Sequence, residues 1–134
     1  MPPPIDHPAL HLHLLPRLFE VVKLEPDEPV PAEHVQALID PAAAKGSFIS
    51  VTRTDEEISI VRQSDEPDAK WRCIKIAGPM EFDLTGVVCN FTAPLKHAGI
   101  GVFAVSTWNT DYVLVPKEFA AKAVEALKQD GWTF

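Results

Sequence analysis

Basic residues are scarce in this chain. Twelve lysines and arginines stand against nineteen aspartates and glutamates over 134 residues, a formal charge of -7, and nowhere are the few cations gathered into a stripe. A phosphate-binding surface needs such a stripe, so neither nucleic acid nor an anionic membrane is expected as a partner. Long apolar runs are missing too. No segment is long enough to span a bilayer, the N-terminus has no basic region, and its apolar stretch is broken by His11 and His13. The expectation is a soluble protein of the cytoplasm. The two cysteines, Cys73 and Cys89, lie far apart in no metal or redox spacing, and each reads as a small buried apolar residue. His97, Cys89, Asp83 and Asp111 are candidate catalytic groups, yet no nucleophile motif, phosphate loop or paired metal signature joins them. His11 and His13 share a strand face at a chelating spacing without an evident third ligand. Neither a metal nor another cofactor is expected.

What the chain does have is an internal repeat. The run Phe48-Ile-Ser-Val-Thr-Arg-Thr-Asp-Glu-Glu-Ile-Ser-Ile-Val61 lies without gaps over Val102-Phe-Ala-Val-Ser-Thr-Trp-Asn-Thr-Asp-Tyr-Val-Leu-Val115, and Val22-Lys-Leu24 matches Ile74-Lys-Ile76. A recurring unit points to duplicated supersecondary structure, and this superposition sets Glu57 opposite Asp111. With 46% apolar residues the chain can bury a core, so one body of two half-size lobes is expected. Most of the thirteen prolines fall at segment boundaries and punctuate the fold.

Strict alternation over residues 10–14 predicts a half-buried strand with both histidines on its polar face. A turn at Pro16 separates it from a second extended run, 18–24. Val35, Leu38 and Ile39 predict a short helix over 32–39. Residues 48–54 and 57–61 read as a hairpin, and the polar stretch 63–70 as the lobe boundary. The second lobe opens with a strand over 72–77. A helix then starts near Leu84, with Asp83 placed to cap it; Pro94 kinks or ends this helix and Gly99 closes it. A second hairpin follows, 101–106 with 111–115. Pro116 opens a last helix with Phe119, Ala120, Ala123, Val124 and Leu127 inward and Gly131 as its terminator. Residues 132–134 add a short strand or pack down. The second lobe is thus β-α-β-β-α, a ferredoxin-like order; the first is β-α-β-β.

Trp71-Arg-Cys-Ile-Lys-Ile, Gly78-Pro, Phe82-Asp-Leu-Thr-Gly86, Pro94-Leu, Ala98-Gly-Ile100, Phe103-Ala-Val-Ser-Thr107 and Thr110-Asp-Tyr-Val-Leu-Val115 together resemble the small tandem-ACT proteins. These are relatives of aspartate kinase regulatory domains and of the ACT modules of a cytosolic arginine sensor. Leu15-Pro16, Glu20-Val-Val-Lys-Leu and Ser50-Val-Thr-Arg-Thr resemble the N-terminal half of that family, with Arg17-Leu18 standing where a glycine is expected. The resemblance implies an α+β fold of two ferredoxin-like βαββ(α) ACT lobes in tandem, residues 9–66 and 70–134, with antiparallel sheets and helices on one face. It implies a non-catalytic regulatory protein that binds a small molecule, an amino acid, and pairs into a homodimer. An assembly module without ligand and a small cofactor-free ferredoxin-like enzyme are the competing classes.

An amino acid presents a carboxylate and an ammonium group. The N-terminus of the helix near Leu84 offers free N–H groups and a positive dipole end for the first, and Asp111 a carboxylate for the second. Gly78, Met80, Asp83, Thr85, Gly86, Ser106, Thr107, Asn109 and Asp111 are the expected ligand-binding residues, with Glu57 auxiliary. The plainer readings are that Asp83 is an N-cap, that Gly86 allows close helix packing, and that Glu57 and Asp111 are solvated turn residues. Trp108, at a hairpin tip, is expected at the surface.

Overall fold

The computed structural model describes residues 8–43, 47–79 and 86–134. Among the described residues there are six strands, β1 (Leu12–Leu24), β2 (Ile49–Arg53), β3 (Ile58–Ser64), β4 (Trp71–Ile76), β5 (Phe103–Ser106) and β6 (Asp111–Pro116), and three α-helices, α1 (Ala32–Ile39), α2 (Val87–His97) and α3 (Ala120–Gln129). The chain divides into two compact units, one of Met1–Pro16 with Lys70–Phe134, the other Arg17–Ala69. All defined pairings are antiparallel. No described helix is long and apolar enough to cross a membrane. Among the described residues no three His, Cys, Asp or Glu side chains cluster to hold a metal.

In the larger unit the strand order is β1-β4-β6-β5. The first half of β1 is held by its backbone: the Leu12 amide donates to the Thr133 carbonyl at 2.8 Å, and the Ala77 amide donates to the His11 carbonyl at 2.7 Å. The strand expected from residue 10 starts at Leu12, because Pro8–Leu10 forms a 3-10 turn; Leu10 from that turn and Leu12 from β1 enter a core with Ile74, Ile76, Phe91, Leu95, Val113, Val115, Ala123 and Leu127. Trp132 closes this core edge-on against Phe91, with ring centroids 5.5 Å apart. Residues 132–134 thus pack down and form no strand. In α3, Ala120, Ala123 and Leu127 are buried as the spacing predicted, whereas Phe119 is exposed, because it ends the 3-10 turn Lys117–Phe119 ahead of the helix.

One expectation about the prolines is corrected, and of the two alternatives for Pro94 an end to the helix is excluded. Pro16 makes no turn but sits inside β1, a single strand of 13 residues. The Leu15 carbonyl beside it accepts from Arg72, at 3.3 Å from Nε and 3.0 Å from Nη2, so a side chain satisfies backbone next to a residue that cannot donate. Pro94 lies within α2 and the helix runs on to His97; Gly99, with φ of 74°, closes it.

In the smaller unit, β3 pairs with both β1 and β2, from Leu18↔Ser64 to Leu24↔Ile58 on one side and from Ile49↔Arg62 to Arg53↔Ile58 on the other. Phe19, Ile58, Ile60 and Val61 are buried there. The helix predicted over 32–39 forms, but its inward residue is His34, while Val35, Leu38 and Ile39 are exposed. Arg53 donates to the carbonyls of Pro26 and Glu28, tying down the loop ahead of α1.

Candidate functional site

The site is built at the end of the larger unit's sheet where β4 leaves, β5 turns into β6, and the chain heads for α2. Lys75 pairs with Tyr112, and Ser106 with Asp111, so β4 ends beside the β5–β6 turn. That turn closes on itself. The Thr107 amide and hydroxyl both donate to the Thr110 carbonyl, at 2.9 and 3.0 Å, a local bond of the kind that favours Thr in turns. Thr110 is buried and its Oγ1 donates to the Ile76 carbonyl at 2.7 Å, which fixes the turn to the end of β4.

Gly78 completes the contact. Its φ is +64°, and a Cβ built there would stand 3.0 Å from Thr110 Cβ and 3.1 Å from the Asn109 carbonyl oxygen. Only glycine combines that conformation with that approach. Its amide donates to the Ala9 carbonyl at 2.9 Å, so three stretches of chain meet here.

Asp111 sits among them and is 8% exposed. Among the described residues its carboxylate has neither a hydrogen bond nor an ion pair, and its oxygens are not among the buried polar atoms left without a partner, so the carboxylate faces outward from a residue whose remainder is covered. Ser106, Thr107 and Asn109 are exposed around it. Nearby on the same strand pair, burial pushes the Cys73 thiol up to about 12 against the pull of Lys75. Burial likewise raises Tyr112, with a further contribution from Cys73. These shifts keep both groups neutral and make neither a nucleophile.

Of the expected site residues, then, Gly78, Ser106, Thr107, Asn109 and Asp111 come together. Met80, Asp83 and Thr85 lie outside the described residues. Gly86 is not in the first turn of the helix but is the N-cap of α2, with φ of 77°, a left-handed backbone that cannot lie within the helix. Glu57 belongs to the turn of the other unit, where its amide donates to Thr54 Oγ1 at 3.2 Å. Cys89 is exposed and not a core residue, because α2 turns Val87, Phe91 and Leu95 inward. Trp108 is 84% exposed, as its place at the tip predicted. Thr110 was missed as a site residue, although a threonine at the same place in both turns, Thr54 and Thr107, marks where each hairpin is locked.

The ACT domain profile matches residues 66–129, a stretch that contains Gly78 and the whole β5–β6 turn but not Ala9. That match to the ACT domain covers just under half of the chain. The chain is 39% identical over 64 residues to the bovine cytosolic arginine sensor for mTORC1 subunit 1, a match that covers 46% of this chain and 20% of that protein. The human counterpart is 37% identical over 60 residues, 44% of this chain and 18% of that protein. The chain thus aligns with about a fifth of these relatives' length. Among solved structures, a protein of Agrobacterium tumefaciens is 35% identical with a TM-score of 0.73, over 92% of this chain and 90% of that one. The ligand-free regulatory subunit of aspartate kinase from Thermus thermophilus has a TM-score of 0.64 at 17% identity, over 91% of this chain and 97% of that one, a likeness of fold. The ACT domain of this chain therefore carries the buried acid, the glycine and the threonine-locked turn on one contiguous segment.

Proposed function

We propose that this chain is a non-catalytic regulatory protein whose ACT domain binds an amino acid, with Asp111 receiving the ligand's cationic group. The observation that carries the reading is Asp111, a residue only 8% exposed whose carboxylate oxygens are bound to no side chain or backbone group among the described residues and are not shut away from solvent. A ligand ammonium or guanidinium would supply the charge that the fold withholds. Ser106, Thr107 and Asn109 offer hydrogen-bonding groups around it, and Gly78 lets backbone approach closely. Met80, Asp83, Thr85 and Gly86 belong to the connection into α2, whose first-turn N–H groups suit the ligand carboxylate. Glu57 is auxiliary.

The similarity to a cytosolic arginine sensor supports both the ligand class and a cytoplasmic place of action. We take residues 9–66 and 70–134 as two ACT lobes in tandem, and the working form as a two-fold dimer, the commonest assembly; sedimentation velocity tests that form. Binding itself is tested by thermal denaturation across the common amino acids. A ligand of the native state at a hundredfold excess over its Kd adds about 2.7 kcal/mol, so one amino acid or a chemically related few should raise the melting temperature by several degrees. No shift with any of them would remove the reading in favour of an assembly module.

A further inference from the structure

The smaller unit holds a cavity of about 310 Å³, within the size range of small-molecule sites. Its making begins with α1. The hydrophobic effect should turn Val35, Leu38 and Ile39 inward, yet Ile39 is 66% exposed and His34 is 6% exposed. A polar ring is thus held where the helix had apolar residues to offer, and that ring lines the cavity. Its nearest ionic partner is Glu33, with Nε2 at 3.9 Å from Oε1, beyond hydrogen-bond reach. Among the described residues the imidazole has no hydrogen bond.

Arg17 and Arg62 line the same space. Arg62 is anchored by a hydrogen bond from Nε to Glu20 Oε1, both side chains being part-buried. A guanidinium carries four N–H donors besides the one on Nε, in a planar fork that matches a carboxylate. Arg17 lies 3.5 Å from Asp65, with both side chains mostly exposed, a surface pair worth little and easily given up to a ligand. The remaining wall is mixed: Ala37, Phe48 and Ile49 are apolar, and Glu33, Ser47 and Gln63 are polar. Phe48 is set against Phe19, with ring centroids 5.4 Å apart.

We propose that this cavity is a second binding site, for a small monocarboxylate with an apolar tail. The site is independent of Asp111, which lies in the other unit. The ligand's carboxylate takes the fork of Arg62 and the imidazole of His34, with Arg17 closing over it, and the tail lies on Ala37, Phe48 and Ile49. A dianion such as phosphate is disfavoured, because Glu20, Asp65 and Glu33 already bring negative charge close to these cations.

The test is a titration of the nitrogen-labelled full chain with isocaproate, followed by the backbone amide resonances of Ala37, Phe48 and Ile49. Leucine, which is that acid with an added ammonium group, and inorganic phosphate serve as comparison probes. Saturable shifts at these amides are expected with isocaproate. They should weaken at least ~10-fold in Arg62→Gln and in Ala37→Leu, and persist in Asp111→Asn. Ala37→Leu fills the space and leaves the Arg62–Glu20 pair in place, so it stands as the test should Arg62→Gln disturb folding. The proposal is overturned if isocaproate gives no saturable shift, if both variants respond like the parent chain, or if leucine or phosphate alone produces the shifts.

Discussion

Ile58 and Asp111 hold the same place in their hairpins. Each opens the second strand and faces the last residue of the first, Ile58 across from Arg53 and Asp111 across from Ser106. Where one hairpin puts a fully buried isoleucine, the other puts a buried acid. An apolar residue at that place serves folding, so the acid is a concession of the fold. Asp111→Asn, which keeps the shape and removes the charge, should leave urea stability without ligand equal or slightly higher, by no more than about 1 kcal/mol. A large loss of stability would mean that the carboxylate holds the fold together.

Gly78→Ala should destabilise the larger unit. A left-handed backbone at a residue with a Cβ costs roughly 1–2 kcal/mol, and the new Cβ meets Thr110 Cβ at 3.0 Å. Thr110 is pinned by its own hydrogen bond and has no room to yield. Urea unfolding of the variant checks this, and stability equal to the parent's would show that the turn is looser than described.

Thr110→Val keeps the volume and deletes the hydroxyl that donates to the Ile76 carbonyl at 2.7 Å. The buried acceptor is then left unsatisfied, at a cost of about 1–3 kcal/mol. Since the same bond fixes the turn beside β4, affinity for the ligand of the Asp111 site should fall along with stability. Urea unfolding and ligand titration of the one variant read both.

Much of this fold is legible in the residues themselves. Alternation at Leu12 and Leu14 marks the first strand but not its start, since Leu10 ends a 3-10 turn, and Ala120, Ala123 and Leu127 place α3 and its inner face. What misleads is register. The gapless superposition matches strand-forming residues and equates Glu57 with Asp111. The turns are set by hydrogen bonds instead: the Thr54 amide donates to the Glu57 carbonyl, and the Thr107 amide to the Thr110 carbonyl, both at 2.9 Å. Glu57 is therefore the counterpart of Thr110, one residue away, and a one-residue slip in a strand exchanges its faces. The same blindness affects α1, where apolar spacing announces a helix but not which side the sheet will cover. Pro16 misleads for a related reason: the Arg72 side chain that serves the carbonyl beside it is 57 residues away along the chain.

The two thiols should behave differently. Cys89 is exposed and Cys73 buried, so a thiol reagent at pH 8 should titrate one group per native chain and two after denaturation. The pH dependence of stability follows from Cys73. Its pKa rises from 9.0 unfolded to about 12 folded, chiefly through burial. The protonated thiol therefore favours the native state fully below pH 9, and this contribution is lost as pH rises through 9 towards 12. Urea midpoints should fall over that window, and fall less in Cys73→Ala.

The most direct measurement is calorimetry of the parent chain, Asp111→Asn and Glu57→Gln with the amino acid that raises the melting temperature. Saturable binding to the parent is predicted. Asp111→Asn should lose roughly 2–5 kcal/mol of binding, as expected when a buried ligand cation loses its partner, while Glu57→Gln should lose much less. Asp111→Asn binding as tightly as the parent chain, or equal losses in the two variants, would contradict the site.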